Sequence, residues 1–376
     1  MQIGVPSEIK PDEHRVAITP EGVRELVSHG HQVLIERQAG LGSAIADAAF
    51  ERQGAQIVAD ADAVFAGAEL VLKVKEPQPQ EVARLQPGQT LFTYLHLAAA
   101  PDLSSALCES GATCIAYETV EIDGQLPLLA PMSEVAGKIA TQAGAFALGR
   151  PAGGRGILLG GVPGVAPATV VIIGGGVVGL NAALIAIGMQ ANVIVLDRSI
   201  ERMRELDAIF AGRAATIHAS SLAIEELLPA ADLVVGAVLV HGARAPFVIR
   251  REQLALLKQR AVLVDVAIDQ GGCFETSRPT THSDPTFQVD GITHYCVANM
   301  PGAVPITSTY ALTNATLPFC VELADHGIET ALASSPALHS GLNVHDGEIV
   351  HPAVAAAMAT SAGSSGGQLM AVGGEG

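Results

Sequence analysis

Strand-like apolar runs alternate along the chain with helix-like amphipathic stretches. Within the first 121 residues, the runs that predict β-strands cover residues 2–8, 32–37, 70–77, 90–96 and 113–121. Helical patterns separate these runs, for example at 20–29 and 101–110. Alternation of this kind is typical of an α/β fold, in which crossover helices connect the strands of a parallel sheet.

A second α/β pattern occupies the middle of the chain, from Thr169 to about Pro305. A long helix precedes it, and we expect that helix to begin near Ser133, because a serine followed by glutamate suits a helix start. A Gly/Pro-rich loop at 150–168 connects the helix to the second pattern. The middle of the chain is therefore expected to fold as a unit of its own.

The last part of the chain returns to a helical pattern at about Ile306, with one late strand at 347–352. If these elements pack on the first sheet, the first domain is discontinuous. We therefore predict an inserted domain at 129–305 within a domain made of 1–128 and 306–360. The low-complexity end, 361–376, is expected to be a disordered tail.

Composition narrows the class of protein. A chain of 376 residues exceeds what one hydrophobic core usually serves, and its net charge of −17 argues against nucleic acid or an anionic membrane as a partner. Its five cysteines are an odd number without a CxxC pair, which predicts reduced thiols in a cytoplasmic protein. We expect no signal peptide, since the first residues carry charges from residue 8 and have no long apolar core, and no membrane span, since glycines and asparagines interrupt the most apolar region, 169–196.

The stretch TVVIIGGGVVGLNAALIAIGMQANVIVLDRS, which begins at Thr169, has the form of a dinucleotide-binding turn. Gly174, Gly176 and Gly179 fit G-x-G-x-x-G between a strand and a helix, where they allow a tight turn, approach of a pyrophosphate and close packing. Asp197 ends the next strand and can accept hydrogen bonds from both ribose hydroxyls. Because it would repel a 2′-phosphate, it predicts NAD rather than NADP, although Arg198 and Arg202 could pair with a phosphate.

Three cationic or ionisable side chains follow strands of the first domain. Arg15 follows the first strand, Lys75 ends the run LVLKVKEP, and His96 ends TLFTYLH. Parallel strands end at one edge of a sheet, so these side chains predict a site for a small carboxylate with acid–base chemistry. Taken singly, Arg15 fits a surface residue, Lys75 a solvated strand end, and His96 a core histidine bonded to backbone.

Asp269 ends the apolar run AVLVDVAIDQGGC of the second domain, which we interpret as one strand. It is either a turn cap before Gly271 or a carboxylate facing an interdomain cleft. The loops at Val238–Leu239 and Val297–Met300 are expected to line the nicotinamide pocket. Glu322 and His326 have helical spacing that could hold a metal, but an exposed helix face explains them better, and we predict no metal.

The chain resembles the alanine dehydrogenases along residues 1 to about 355. The matching stretches include IGVPSEIKPDEHRVAITP, FTYLHLA, PLLAPMSEVAGK, VVIIGGGVVG, VDVAIDQGGC and NMPGAVP. The resemblance implies two Rossmann-like domains with parallel sheets, the NAD domain being inserted into a discontinuous substrate domain. It also implies NAD-dependent, reversible oxidative deamination of L-alanine to pyruvate and ammonia, in L-alanine catabolism, by a homohexamer.

The resemblance also assigns residues. It implies that Arg15 and Lys75 bind substrate and that His96 and Asp269 are the catalytic pair. The cofactor contacts that it implies, besides the three glycines, are Ser133, Asp197, Arg202, Ser220, Val238, Leu239, Val266, Ala267, Ile268, Asp269, Arg278, Val297, Ala298, Asn299 and Met300.

Three other functions stay open at this point. The chain could be a dehydrogenase of another amino acid, or a hydride-transfer domain like the transhydrogenase α subunit, which resembles the same scaffold. It could also be a catalytically silent NAD-binding protein, which would keep the glycines and Asp197 but would not need Arg15, Lys75, His96 and Asp269 together.

Overall fold

The chain begins in one α/β unit, forms a second, and returns to the first. The structure is a computed structural model that describes residues 1–238 and 246–365. The first unit consists of Met1–Pro131 and the chain from Val304 onward, and the second is Met132–Ala303. Each contains a mostly parallel sheet with helical connections, so the predicted α/β class is confirmed.

The strands of the described residues are short. In chain order they are β1 Gln2–Val5, β2 Gln32–Glu36, β3 Gln56–Val58, β4 Leu70–Leu72, β5 Thr90–Thr93, β6 Thr113–Ala116, β7 Thr169–Ile173, β8 Asn192–Asp197, β9 Ala215–His218, β10 Leu233–Gly236, β11 Val262–Asp265, β12 Thr286–Val289, β13 Ile292–Tyr295, β14 Leu342–His345 and β15 Glu348–Ile349.

The α-helices lie between these strands, and one more follows the last strand, β15. They are α1 Pro20–Ser28, α2 Asp47–Glu51, α3 Ala61–Gly67, α4 Pro79–Val82, α5 Pro101–Ser110, α6 Ala130–Ala147, α7 Val177–Gly188, α8 Ile200–Phe210, α9 Ser221–Leu227, α10 Pro305–His326, α11 Ile328–Ser334, α12 Pro336–Gly341 and α13 Pro352–Ser365.

The two sheets have the strand orders β15-β14-β6-β5-β4-β1-β2-β3 and β12-β13-β11-β10-β7-β8-β9. The central strands of both are parallel, and most are buried and rich in valine, isoleucine and leucine, as expected where helices cover both faces of a sheet. The prediction of parallel sheets is not met everywhere, since β14 pairs antiparallel with both β6 and the edge strand β15, and the edge strand β12 pairs antiparallel with β13.

Several predicted boundaries are wrong. The strand predicted at 70–77 ends at Leu72, and the one predicted at 90–96 ends at Thr93, so the charged residues of both runs lie in loops. Helix α6 begins at Ala130 rather than near Ser133. Pro131 explains the earlier start, because proline is favoured in the first turn of a helix, where its missing N–H leaves no hydrogen bond unmade.

The C-terminal region contributes more to the first sheet than the single late strand predicted. β14 pairs with β6, and β15 pairs with β14. Helix α13 then continues to Ser365, so it includes the first residues of the segment predicted as a tail. The remainder of that segment, 366–376, lies outside the described residues.

Two histidines and a carboxylate join the end of α1 to the end of α10. His29 Nδ1 lies 2.8 Å from one carboxylate oxygen of Asp325, and His31 Nε2 lies 2.8 Å from the other. Glu25 is also within ion-pair distance of His29. The hydrogen bond to Asp325 raises the pKa of His29 above its ordinary value. The contact is therefore strongest when His29 carries a proton.

This contact predicts a pH-dependent stability. Because the folded-state pKa of His29 is raised, its stabilisation should be fully present below about pH 6.5, the ordinary value, and be lost as the pH rises through the folded-state value. His29→Gln should flatten that part of the profile in thermal unfolding measured across pH 5.5–8.5. His326→Gln, an exposed histidine beside Asp325, is the control; equal profiles for wild type and His29→Gln would contradict the prediction.

Candidate active site

The loops that follow β1, β4 and β5 carry the three predicted side chains of the first unit. Arg15 lies after β1, Lys75 after β4 and His96 after β5. These strands are parallel and adjacent in the sheet, so their loops leave from one edge. The structure thus brings Arg15, Lys75 and His96 to the same edge of the first sheet.

Arg15 is buried, with 2% of its surface exposed, so the surface interpretation is wrong. Its Nε donates to Glu13 Oε1 at 2.6 Å, and its backbone N–H donates to the same oxygen at 3.0 Å. A second guanidinium nitrogen pairs with Glu13 Oε2. Burial works against the charge, but the hydrogen bonds and charge of Glu13 outweigh it and raise the pKa of Arg15. Arg15 is therefore a fixed cation in a buried loop.

Two lysines follow β4, and neither is a solvated strand end. Lys73 is fully buried and pairs with Glu8 at 3.0 Å and with Glu81 at 2.8 Å. Lys75 is 7% exposed, and its backbone carbonyl accepts a hydrogen bond from Thr93 Oγ1 at 3.0 Å. The loop after β4 therefore places one lysine in an ion-pair network and a second lysine two residues further on.

His96 has an unusual backbone conformation, with a φ of 52° in the left-handed region. Glu118 accepts hydrogen bonds from the backbone N–H groups of Leu95 and His96, the latter at 2.6 Å, and its Oε1 lies 3.9 Å from His96 Nδ1. The imidazole stacks on Tyr94, with a ring separation of 5.9 Å. Since 32% of the side chain is exposed, His96 does not fit the core-histidine interpretation. Strained backbone of this kind persists only where neighbours fix it.

Sequence reasoning missed the carboxylates that hold these groups. Glu8, Glu13 and Glu118 each accept hydrogen bonds from backbone N–H groups. Each also lies close to a predicted site side chain or to its neighbour in the chain. Tyr94 was also missed; it donates its hydroxyl proton to the Leu128 carbonyl, and burial raises its pKa. The signal for the first two was the placing of acidic residues in a loop directly after a buried strand.

In the second unit, the predicted cofactor residues gather at one edge of the other sheet. The loops after β7, β8, β9, β10, β11 and β13 leave from the carboxyl edge of a parallel array. These loops contain Gly174, Gly176, Ser220, Val238, Val266, Ala267, Ile268, Asp269, Val297, Ala298, Asn299 and Met300, and Asp197 is the last residue of β8 at the same edge. Leu239 lies outside the described residues.

The three glycines of the first turn have different surroundings. Gly174 has a φ of 102°, which a side chain disfavours. A Cβ at Gly179 would lie 1.8 Å from the Gly174 carbonyl oxygen, so only glycine allows α7 to begin this close to the turn. A Cβ at Gly176 would meet nothing within 4 Å, which leaves space in front of the helix N-terminus. A strand, a glycine turn and an open helix end suit a bound pyrophosphate.

Asp197 closes this turn from the next strand. Its Oδ2 accepts from the Gly175 N–H at 2.7 Å, and its Oδ1 accepts from the Ser199 N–H at 2.8 Å. Each oxygen keeps a second lone pair for a further donor. Arg202 donates from Nε to the Gly175 carbonyl at 2.7 Å, and its Nη1 pairs with Glu205 at 2.6 Å.

The sequence suggested that Asp269 ends a strand, and this prediction is wrong. β11 stops at Asp265, and Asp269 lies in a short 3₁₀ helix, Ile268–Gln270, where it is exposed. The buried Asp265, which sequence reasoning missed, accepts from the backbone N–H groups of Ala267, Cys273 and Phe274 and from the Ser277 hydroxyl. Asp265 therefore fixes both ends of the loop that carries Asp269.

The remaining predicted contacts have local structural roles. Ser220 caps α9 by accepting from the Ala223 N–H at 3.1 Å. Arg278 lies 4.4 Å above the Phe287 ring, and the Asn299 carbonyl contacts His282 at 3.0 Å. Ser133 is partly buried within α6, which packs on α7 through Gly137.

Two features are absent from the part of the chain that the structure describes. Within that part of the chain, no group of three or more His, Cys, Asp or Glu side chains is placed to hold a metal ion. Its helices include none that is long and apolar enough to cross a bilayer.

Comparison with known proteins gives matches along nearly the whole chain. Two family models match, "Alanine dehydrogenase/PNT, N-terminal domain" over residues 4–136 and "Alanine dehydrogenase/PNT, C-terminal domain" over residues 140–352. Alanine dehydrogenase of Halomonas elongata is 60% identical over 358 residues, which cover 95% of this chain and 96% of that protein. The Bacillus subtilis alanine dehydrogenase is 52% identical over 94% of both chains.

Solved structures give the same result. A solved L-alanine dehydrogenase matches with a TM-score of 0.92 and 50% identity, over 96% of this chain and 99% of that one. The transhydrogenase from Sinorhizobium meliloti matches with a TM-score of 0.79 and 25% identity, over 94% and 100%.

One α/β unit has a mostly parallel sheet with a dinucleotide-type glycine turn, and the other has a sheet with a cationic edge; together these features are typical of the class of two-domain nucleotide-dependent oxidoreductases. Within that class, the chain belongs to the alanine dehydrogenase/PNT family. The resemblance found in the sequence is thereby confirmed.

The surroundings of the glycines predict how three alanine variants differ. Gly176→Ala should keep the thermal midpoint but weaken NADH binding at least about tenfold, because its methyl group would occupy the space in front of the helix. Gly179→Ala should lower both the midpoint and the affinity, because its Cβ collides with backbone. Gly188→Ala, at the far end of α7, should change neither; wild-type NADH affinity in Gly176→Ala would contradict the assignment of this turn.

Proposed function

We propose that the protein catalyses the NAD-dependent, reversible oxidative deamination of L-alanine to pyruvate and ammonia. The observation that carries the proposal is the joint placing of Arg15, Lys75 and His96 at one edge of the first sheet. A silent NAD-binding protein has no need of that arrangement. The names of the relatives, alanine dehydrogenases at 52–60% identity, support the same reaction.

The second unit is the proposed binding domain for NAD. The open N-terminus of α7 and Gly176 fit the pyrophosphate, and the spare lone pairs of Asp197 fit the ribose hydroxyls. Arg202 already donates to the Gly175 carbonyl and pairs with Glu205, so part of its hydrogen-bonding capacity is engaged within the chain, which favours NAD over NADP. When bound, the cofactor would accept a hydride from the substrate in one direction of the reaction and return it in the other.

Arg15 and Lys75 are the proposed carboxylate-binding groups. Glu13 fixes the guanidinium of Arg15, so that this cation loses little conformational freedom when a substrate binds. Lys75 lies in a buried loop, where its charge acts at short range and is weakly screened. The same ammonium is suited to polarise the carbonyl of pyruvate or the corresponding imine.

His96 and Asp269 are the proposed acid–base groups. The contacts of His96 with Glu118 and Tyr94 fix its backbone and ring plane, while its partial exposure leaves the imidazole accessible. It can give and take the protons that accompany addition of water or ammonia to the substrate carbon. Asp265 orders the loop of Asp269, where the Asp269 carboxylate is exposed and accessible for proton transfer.

We also propose that the protein acts in the cytoplasm as a homohexamer, as the resemblance implies. All five cysteines are free thiols, in keeping with a reducing compartment. Large apolar side chains such as Phe146, Leu158 and Val165 are exposed on the single chain, which favours their burial between copies. Light scattering tests the assembly, since the molar mass should equal six chains rather than one or two.

The reaction can be tested with a small substrate panel, followed by the absorbance of NADH. L-Alanine with NAD, and pyruvate with ammonia and NADH, should give the highest kcat/KM, while serine and glycine should be slower and NADP should be poor. Another amino acid as the best substrate would replace alanine in the proposal. Hydride transfer between nucleotides without any amino acid would instead favour a transhydrogenase-like activity.

The role of His96 makes a separate prediction. His96→Asn should fold and bind NADH, but its kcat should fall at least about 10²-fold, because the general acid–base group is removed while size and polarity are nearly kept. The exposed His339→Asn is the matched control and should keep the wild-type kcat. If His96→Asn turned over alanine at near the wild-type rate but unfolded at a lower temperature, His96 would have a structural role only.

A further inference from the structure

Glu8 is a buried carboxylate that lies in the loop after β1 and holds the neighbouring loop after β4. Its Oε1 accepts from the Val74 N–H at 2.6 Å, and its Oε2 accepts from the Lys75 N–H at 3.3 Å. The same Oε2 lies 3.0 Å from Lys73 Nζ. One carboxylate therefore contacts three consecutive residues of the 73–75 segment.

These contacts satisfy backbone N–H groups that a neighbouring strand would otherwise bind. Within the sheet, β4 is held on one side by β1 and on the other by β5. Beyond β4, backbone bonds continue on the β5 side, from Lys73 N–H to Phe92 O and from Tyr94 N–H to Val74 O. On the β1 side the chain has turned away, and the carboxylate of Glu8 accepts the N–H groups of residues 74 and 75 instead.

Lys75 is thereby fixed through its own peptide groups. Its N–H is held by Glu8, and its carbonyl accepts the Thr93 hydroxyl proton at 3.0 Å. A side chain that must meet a small substrate loses efficiency when its backbone shifts by about 1 Å. Glu8 acts on the atoms from which the Lys75 side chain departs.

We propose that Glu8 is a positioning residue for Lys75, and that it sets the affinity for the 2-oxo acid or amino acid substrate without touching it. The inference rests on the substrate-binding role of Lys75 proposed above. We expect Glu8 to have no effect on the affinity for the nucleotide, because its hydrogen bonds and ion pair are made to residues 73–75 of the first unit.

Glu81 provides a matched control. It is as buried as Glu8 and pairs with the same Lys73, at 2.8 Å. Its other oxygen accepts from the Gln78 N–H at the start of α4, and not from residues 74 or 75. Glu8→Gln and Glu81→Gln therefore remove the same charge beside the same lysine, but only the first disturbs the backbone of Lys75.

The test compares these two variants by steady-state kinetics and NADH binding. Glu8→Gln should lower kcat/KM for pyruvate at least about tenfold, mainly through a higher KM, with the Kd for NADH within about twofold of wild type. Glu81→Gln should stay within about threefold of wild type in kcat/KM. Equal losses in both variants would overturn the proposal, since the charge balance around Lys73 would then explain them. So would wild-type kinetics in Glu8→Gln.

A double-mutant cycle with Lys75→Met separates positioning from general destabilisation. If Glu8 acts through Lys75, Glu8→Gln should change kcat/KM less than about threefold once Lys75 is methionine. A full tenfold loss in both backgrounds would overturn the proposal. If Glu8→Gln does not fold, Glu8→Asp serves in its place, because it keeps the charge but withdraws the carboxylate from the two N–H groups. Near-wild-type activity of Lys75→Met would remove Lys75 from the proposed function itself.

Discussion

Charges buried at the carboxyl edge of the first sheet must be paired, and the loops of that edge are folded around this requirement. Arg15 is paired with Glu13, and Lys73 is paired with Glu8 and Glu81. Removal of one partner from such a pair typically costs about 3–5 kcal/mol, because the other charge stays buried. The same carboxylates also accept backbone N–H groups, so the pairing fixes the course of the chain as well as its charge balance.

The second unit also buries a carboxylate, and there hydrogen bonds stabilise it. Asp265 is fully buried, and burial raises its pKa, while hydrogen bonds from Ser277, Phe274 and Cys273 oppose that rise. Five donors from four residues surround this side chain and connect the two ends of the loop after β11. Both units therefore use a buried acid, in the loop after β1 or at the end of β11, to shape a loop in which a proposed functional residue lies.

The sequence was most informative where local pattern decides the structure. Gly174, Gly179 and Asp197 were found because their spacing is local, and Arg15, Lys75 and His96 because parallel strands end at one edge. Pairings between distant segments were not visible, so the roles of Glu8 and Glu118 became clear only from the fold. β9 and β14 were missed because each has four residues and no long apolar run. The run through Asp269 was misread because apolar loop residues continue the pattern of β11.

The discontinuous first unit has a consequence for the order in which the protein can form during synthesis. β6 is complete early in translation, but its outer neighbour, β14, is made only after the whole second unit. Until residues 342–345 leave the ribosome, β6 presents an unpaired strand edge of the kind that promotes association with other chains. The inserted unit has all of its own strands by then. The nascent chain is therefore most vulnerable to aggregation while the second unit is already able to fold.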